Sequence, residues 1–239
     1  MTSNTENLRV FGQSSGGTAT FALLASPQCK GLVHKAWLLS ASPVLNKTAS
    51  EANVDNEVFL ANANCSDIDC IYALSSAEVT YAVPWMTCIC NVEAPFDAWA
   101  NGHIIDVPLL IVWDIRSNCP NDVMSMYAAS TFSSPVYRYV VTSKPSVPIH
   151  PVGIPFPARY AMHMWDVFAF FGFIPDYIKH PTDSEIQWQR NVQNEVLELV
   201  RTGKHFTSSW KPYPASTANL SEVTEAISAY NPVQCALWL

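Results

Sequence analysis

The sequence predicts an α/β fold, a mostly parallel sheet with helices packed against it. Three observations carry this expectation. Short apolar runs alternate with helical segments, and small-residue turns separate them. The run "VPLLIVW" at 107–113 is continuously apolar, as strands buried on both faces are. The chain has 239 residues, which fits one large α/β domain or two small ones and is enough to bury roughly 70% of its unfolded surface. In such sheets chemistry gathers at the carboxyl ends of the strands.

The first element sits almost at the start. "RVFGQSSGGTATFALLAS" (9–26) is a short apolar run, a turn crowded with small residues, and an Ala/Leu-rich segment: strand, tight turn, helix. Gly12, Ser14 and Gly16 stand in G-x-S-x-G spacing. That turn holds its serine at a strained backbone conformation and brings the helix close to the strand, which explains a glycine on either side. The hydroxyl then projects from the tip, above the helix N-terminus. The spacing alone also fits an ordinary Gly/Ser-rich loop; the strand and helix around it favour the turn.

"KAWLLSAS" (35–42) reads as a second buried strand, followed by a helical stretch over 49–62 and two short helices between 65 and 83. Residues 83–106 have little periodicity and form a long loop-like segment. After the 107–113 strand, a helix begins near Pro120, and "SPVYRYVVT" (134–142) is a β-branched and aromatic strand. A proline-punctuated loop then leads to "RYAMHMWD" (159–166). "WDVFAFFGFIPDYI" from Trp165 reads as a buried core segment or the wall of an apolar pocket. It is too short and too interrupted to span a membrane. Thr182 and Glu185 form a capping-box pattern; Trp188, Val192, Val196, Leu199 and Val200 then repeat at helical spacing until Gly203.

Thirteen Lys and Arg against twenty Asp and Glu give a formal charge of −7. With no basic cluster, attraction to nucleic acid is not expected. Cys65 and Cys70 enclose a small loop that a disulfide closes if local geometry allows. Free thiols or a metal site are the alternatives, though no companion ligands with suitable spacing appear. Asn46 and Asn219 begin N-x-[ST] sequons, which matter in a secreted protein. "MTSNTENL" at the start has no hydrophobic stretch, so a cytosolic start is the literal reading, in conflict with the cysteines.

Several blocks together resemble one family. "VFGQSSGGTATFALLASPQCKGLVHKAWLLSAS", "NCSDIDCIYALSS", "VPLLI", "SPVYRYVV", "HMWDVFAFFG" and "VRTGKHFTSSWKPYP" are similar in content and order to the type-B carboxylesterases, lipases and cholinesterases, in a form similar to fungal members. The resemblance runs from about Arg9 to Pro214. It implies an α/β-hydrolase fold, present as a single partial domain over 1–239 that is a C-terminal portion, with the N-terminal strands and some internal segments missing. It also implies secretion, a small-molecule carboxylic ester or lipid substrate, hydrolysis through an acyl-enzyme, and no metal or organic cofactor.

On this resemblance Ser14 is the nucleophile, His163 the general base in an H-x-x-D block ending at Asp166, and the Ser15 N–H an oxyanion donor. The triad order places the acid between them. The loop that carries it in the family looks skipped, since Trp113 runs straight into "DIRSNCPNDV". Asp114 is the nearest substitute and a weak candidate, since an aspartate just beyond a strand end is more often solvated or capping. The glycine-rich oxyanion loop is also not found. A non-catalytic relative acting as a binding module, or an inactive fragment, is therefore the alternative to an ester hydrolase. His34, His103, His150, His180 and His205 read as surface or loop residues.

Overall fold

The computed structural model describes residues 8–41, 48–83, 118–150, 157, 161–230 and 235. The predicted 107–113 strand, Asp114 and the Asn46 sequon lie outside them. The chain divides into two compact units, one of Met1–Pro43 with Trp113–Leu239, the other of Val44–Val112.

The described residues of the smaller unit, 48–83, form three helices, and each helix start is written in its sequence. Helix α2 (Ala49–Ala63) begins with a capping box between Thr48 and Glu51 and ends at Asn64, whose φ of 53° is left-handed. Helix α3 (Ile68–Ala73) is capped by the Asp67 carboxylate, which accepts from the Cys70 N–H at 2.8 Å. Helix α4 (Ser76–Ala82) has a second capping box, Ser75 with Glu78. A disulfide joins Cys65 to Cys70, tying the end of α2 to the first turn of α3.

Among the described residues, the strands lie in the larger unit. Strands β1 (Arg9–Gln13) and β2 (Lys35–Leu39) pair in parallel, with Gly12 opposite Leu38 and Gln13 opposite Leu39. Helix α1 (Ser15–Ala25) lies between them in the chain, supplying the crossover that parallel strands need. Strand β3 (Arg138–Val141) pairs in parallel with β4 (Thr217–Leu220), which pairs antiparallel with β5 (Thr224–Ile227). The predicted strands at 35–42 and 134–142 are thus shorter than their apolar runs. Ser40, with φ 45°, ends the first, and Pro135 cannot donate a ladder hydrogen bond to the second. The hairpin of β4 and β5 has no strand-like pattern in sequence: Ala, Asn and Glu are poor strand formers, and tertiary packing overrides them.

Helix α5 (Cys119–Thr131) carries Cys119, which is bonded to Cys235 across 116 residues. The buried Arg138 guanidinium ties β3 to the start of α5: it donates to Asn118 Oδ1 at 2.7 Å and lies 3.3 Å from Asp122. "WDVFAFFGFIPDYI" folds as two short helices, α6 (Trp165–Phe171) and α7 (Ile174–Tyr177), separated by the left-handed Gly172. Helix α8 (Asp183–Thr202) keeps its predicted capping box and ends on Gly203 at φ 78°.

The core is organised by α8. Trp188 and Val192 pack with Ile149, Trp165, Phe168 and Ile174, and the Trp188 ring stacks on Trp165 at 5.0 Å. One helical turn further, Val196 joins Trp37, Leu39, Trp210, Ala218 and Leu220. A single apolar stripe at i, i+4, i+8 therefore serves two clusters. Glu185, in the first turn, also accepts from the Ser146 N–H at 2.7 Å and the Ser146 hydroxyl at 3.0 Å. This ties the proline-punctuated loop to the helix.

His205 departs from the sequence reading. Its backbone is in a loop, but the side chain is buried, 3.7 Å in centroid distance from Trp210 and 4.3 Å from Tyr137. Nδ1 lies 3.5 Å from the buried Glu195 carboxylate. Burial alone would raise the Glu195 pKa, but hydrogen bonds from His205 and Thr207 outweigh it and hold the carboxyl below its usual range. His34, His150 and His180 are exposed, and His103 lies outside the described residues.

Candidate active site at the first strand–helix turn

Ser14 links β1 directly to α1, and its backbone is at φ 56°, ψ −124°. Few residues other than glycine adopt a positive φ, and the cost is of order 1–3 kcal/mol. The turn is held by the Ser14 N–H donating to the Leu39 carbonyl at 2.9 Å, at the carboxyl end of the neighbouring strand. Ser14 occupies the N-cap position of α1, yet its side chain makes no capping hydrogen bond. Thr48, Ser75 and Thr182 in the same position all do. The Ser14 conformation turns the hydroxyl away from the work that serine ordinarily does there. Ser15 heads the helix, where first-turn N–H groups have no partner within the helix.

Two glycines make this geometry possible, and only one is the residue the motif spacing names. A Cβ on Gly12 would lie 2.4 Å from the Gly16 carbonyl oxygen and 2.5 Å from Thr20 Oγ1. Gly17, not Gly16, is the second close approach: its Cβ would come to 3.2 Å from Ala41 Cβ, the Gly12 oxygen and the Leu39 oxygen. Nothing lies within 4 Å of a Cβ on Gly16. The expectation that Gly16 is needed for close packing is therefore corrected to Gly17.

His163 reaches the same place from the other end of the unit. It precedes Met164, whose φ of 75° and ψ of 0° are those of the third residue of a type II turn, a place usually held by glycine. The Trp165 N–H closes that turn on the Met162 carbonyl at 3.0 Å. Of the four described non-glycine residues with positive φ, Ser14 and Ser40 end neighbouring strands and Met164 adjoins His163. Such strain clusters where a surrounding structure holds functional groups in place.

The structure brings His163 to Gln13, the residue before Ser14, with Nε2 of the two side chains 2.9 Å apart. An amide nitrogen can only donate, so in this arrangement the imidazole is neutral and its Nε2 lone pair accepts. Among the described residues no hydrogen bond joins the Ser14 hydroxyl to His163. Burial holds the His163 pKa below its ordinary value, which favours the neutral ring.

Asp166, three residues on, does not face the turn. It is buried in α6, accepts from the Tyr139 hydroxyl at 2.9 Å and from the Val167 N–H at 3.0 Å, and Tyr139 in turn accepts from Trp37 Nε1 at 3.2 Å. Burial pushes its carboxyl up to about 6, more than its hydrogen bonds lower it. This network fastens the helix after His163 to β3 and β2. Sequence reasoning placed Asp166 in a block but missed Tyr139 and Trp37, because nothing local signals a hydroxyl 27 residues upstream.

Over 98% of the chain and 64% of the partner, the structure aligns with juvenile hormone esterase from Manduca sexta at a TM-score of 0.68 and 13% identity. It aligns with PNB esterase over 99% of the chain and 63% of that protein, at 0.71 and 17%.

The fold is that of the α/β-hydrolase esterases.

A Geobacillus stearothermophilus carboxylesterase, EST55, aligns at 0.62 and 14% over 98% of the chain and 64% of its own length. In sequence, 100 residues are 32% identical to neurotactin from Drosophila melanogaster, 41% of this chain and 12% of that protein. No family profile matches. The chain thus spans less than two thirds of the length of each of these proteins. Among the described residues no helix is long and apolar enough to cross a membrane, and no cluster of metal-ligating side chains is present.

Two outcomes test the site's construction. Gly12→Ala is expected to cost about 2 kcal/mol or more, because backbone must move, whereas Gly16→Ala is expected to be neutral or to stabilise by up to ~1 kcal/mol. Urea unfolding of both variants checks this; equal costs would contradict it. Asp166, with its raised pKa, binds a proton more tightly folded than unfolded. Its contribution is present below the ordinary carboxyl pKa and is lost as pH rises through about 6. Wild-type stability is expected to fall by up to about 3 kcal/mol from this group between pH 4 and pH 7. Asp166→Asn is expected to remove that slope, read from unfolding midpoints across the range; an unchanged slope would contradict the assignment.

Proposed function

We propose that the chain is the Ser14- and His163-bearing part of a carboxylesterase-like serine hydrolase, of the type-B kind similar to fungal members, acting on small-molecule carboxylic esters or lipids in a secreted setting. The observation that carries the reading is the Ser14 backbone. A serine at a helix N-cap with positive φ and no capping bond has its hydroxyl reserved for something other than structure. In the juvenile hormone esterase of shared fold, OTFP is covalently attached, the kind of chemistry that an activated side chain performs.

In this mechanism the His163 Nε2 lone pair leaves the Gln13 amide and takes the Ser14 proton as the hydroxyl oxygen attacks the ester carbonyl. The alcohol departs with that proton, and water repeats the sequence on the acyl-enzyme. The Ser15 N–H and the positive end of α1 face the developing oxyanion. These steps use the ester substrate, water and the chain's own side chains. Asp114, as the orienting acid, is part of the proposal; without such an acid, turnover in serine proteases falls roughly 10⁴-fold.

A second reading, a non-catalytic binding module, is favoured by one observation: Gln13 already occupies the His163 lone pair. Hydrolysis of p-nitrophenyl butyrate separates the two. On the hydrolase reading, Ser14→Ala and His163→Ala each lower kcat/KM by at least about 100-fold, and Ser15→Ala leaves it within a few-fold. Because burial lowers the His163 pKa, the rising limb of the pH profile is expected below the ordinary imidazole value of about 6.5. A wild-type rate equal to that of Ser14→Ala would favour the module.

A further inference from the structure

We infer that Asn219 is a site of N-linked glycosylation. Asn219, Leu220 and Ser221 form a sequon on β4, and the strand's alternation decides which way each side chain faces. Ala218 and Leu220 are buried against Trp37 and Trp210, so Asn219 points from the opposite face. Its register partners there are Val140 on β3 and Glu225 on β5, and Glu225 is exposed. A charged residue directly beside it marks that end of the sheet face as solvated.

The side chain is held in one orientation. Asn219 Oδ1 accepts from the exposed Thr142 hydroxyl at 2.5 Å, and its amide nitrogen donates no hydrogen bond among the described residues. The nitrogen that carries a glycan is thus the uncommitted end. Asn191 donates to the carbonyls of Ser221 and Glu222, fixing the turn after the strand and keeping Asn219 at the sheet's solvated end.

A second observation is independent of the sequon. Cys119 and Cys235 form a buried disulfide across 116 residues, and Cys65 and Cys70 a second. Disulfides of this kind form in an oxidising compartment, where glycan transfer to asparagine also takes place. The donor is a lipid-pyrophosphate-linked oligosaccharide. The Asn219 Nδ2–C1 bond forms, the C1–oxygen bond to pyrophosphate breaks, and one amide proton leaves to the transferase base. In the folded chain the Ser221 hydroxyl donates to the Val223 carbonyl at 2.8 Å, so transfer precedes closure of that turn. The inference does not depend on hydrolase activity.

The test is peptide mapping of the full chain from its source cells, before and after peptide-N-glycosidase F. Deglycosylation is expected to convert position 219 to aspartate and to increase gel mobility. Asn219→Gln and Ser221→Ala should each lose the conversion and Ser221→Thr should keep it; reading at the peptide level separates this site from Asn46. Unmodified Asn219 in a chain with Cys119 and Cys235 oxidised would overturn the inference. So would unmodified Asn219 with both thiols reduced.

Discussion

The candidate site depends on how closely α1 lies over β1. The helix crosses the strand with Gly12 directly under the Gly16 carbonyl and the Thr20 hydroxyl, where a side chain has no room, and with Gly17 in a tight approach to Ala41 and Leu39. A connection this short leaves the chain no residue to spare between strand and helix. Ser14 must reverse direction alone, and it does so at a positive φ. The hydrogen bond from its N–H to Leu39 fastens the reversal to the neighbouring strand. The strain is local; the packing that holds it is spread over two strands and a helix.

The same logic brings the histidine in from 150 residues away. Glu185 in the first turn of α8 secures the proline-punctuated loop through Ser146, Trp188 secures α6 through Trp165, and Asp166 fastens α6 to β3 through Tyr139. These contacts hold the segments that flank the Met162–Trp165 turn, in which Met164 is left-handed. Asp166 shows what the arrangement costs, since its carboxyl is held where burial disfavours its charge. The buried tyrosine hydroxyl and backbone N–H offset part of that.

Much of this was legible in sequence where the signal is local. The α8 boundaries follow from Thr182, Glu185 and Gly203, each acting on its own turn. Gly12 and Ser14 announced the strand–turn–helix because spacing along the chain fixes spacing in such a turn. What was not legible depends on distant partners. Gly17 rather than Gly16 is the close approach because Ala41 and Leu39 lie there, and Met164 takes a glycine's place because α6 and its neighbours hold it. Cys119 pairs with Cys235 across 116 residues, a partner that no local pattern announces. His205 is buried because Tyr137 and Trp210 converge on it, and β4 and β5 are strands through pairing with β3 rather than through their own residues.

Tandem mass spectrometry of fluorophosphonate-treated protein tests the central claim, that the folded turn singles out the Ser14 hydroxyl, most directly. Ser14 and Ser15 are chemically identical neighbours, so the reagent distinguishes them by backbone conformation and nearby groups. The account predicts an adduct on Ser14 and not on Ser15 in the folded protein, lost when the protein is labelled in unfolding concentrations of urea. An adduct shared between the two serines, or one formed equally well in the unfolded chain, would contradict it.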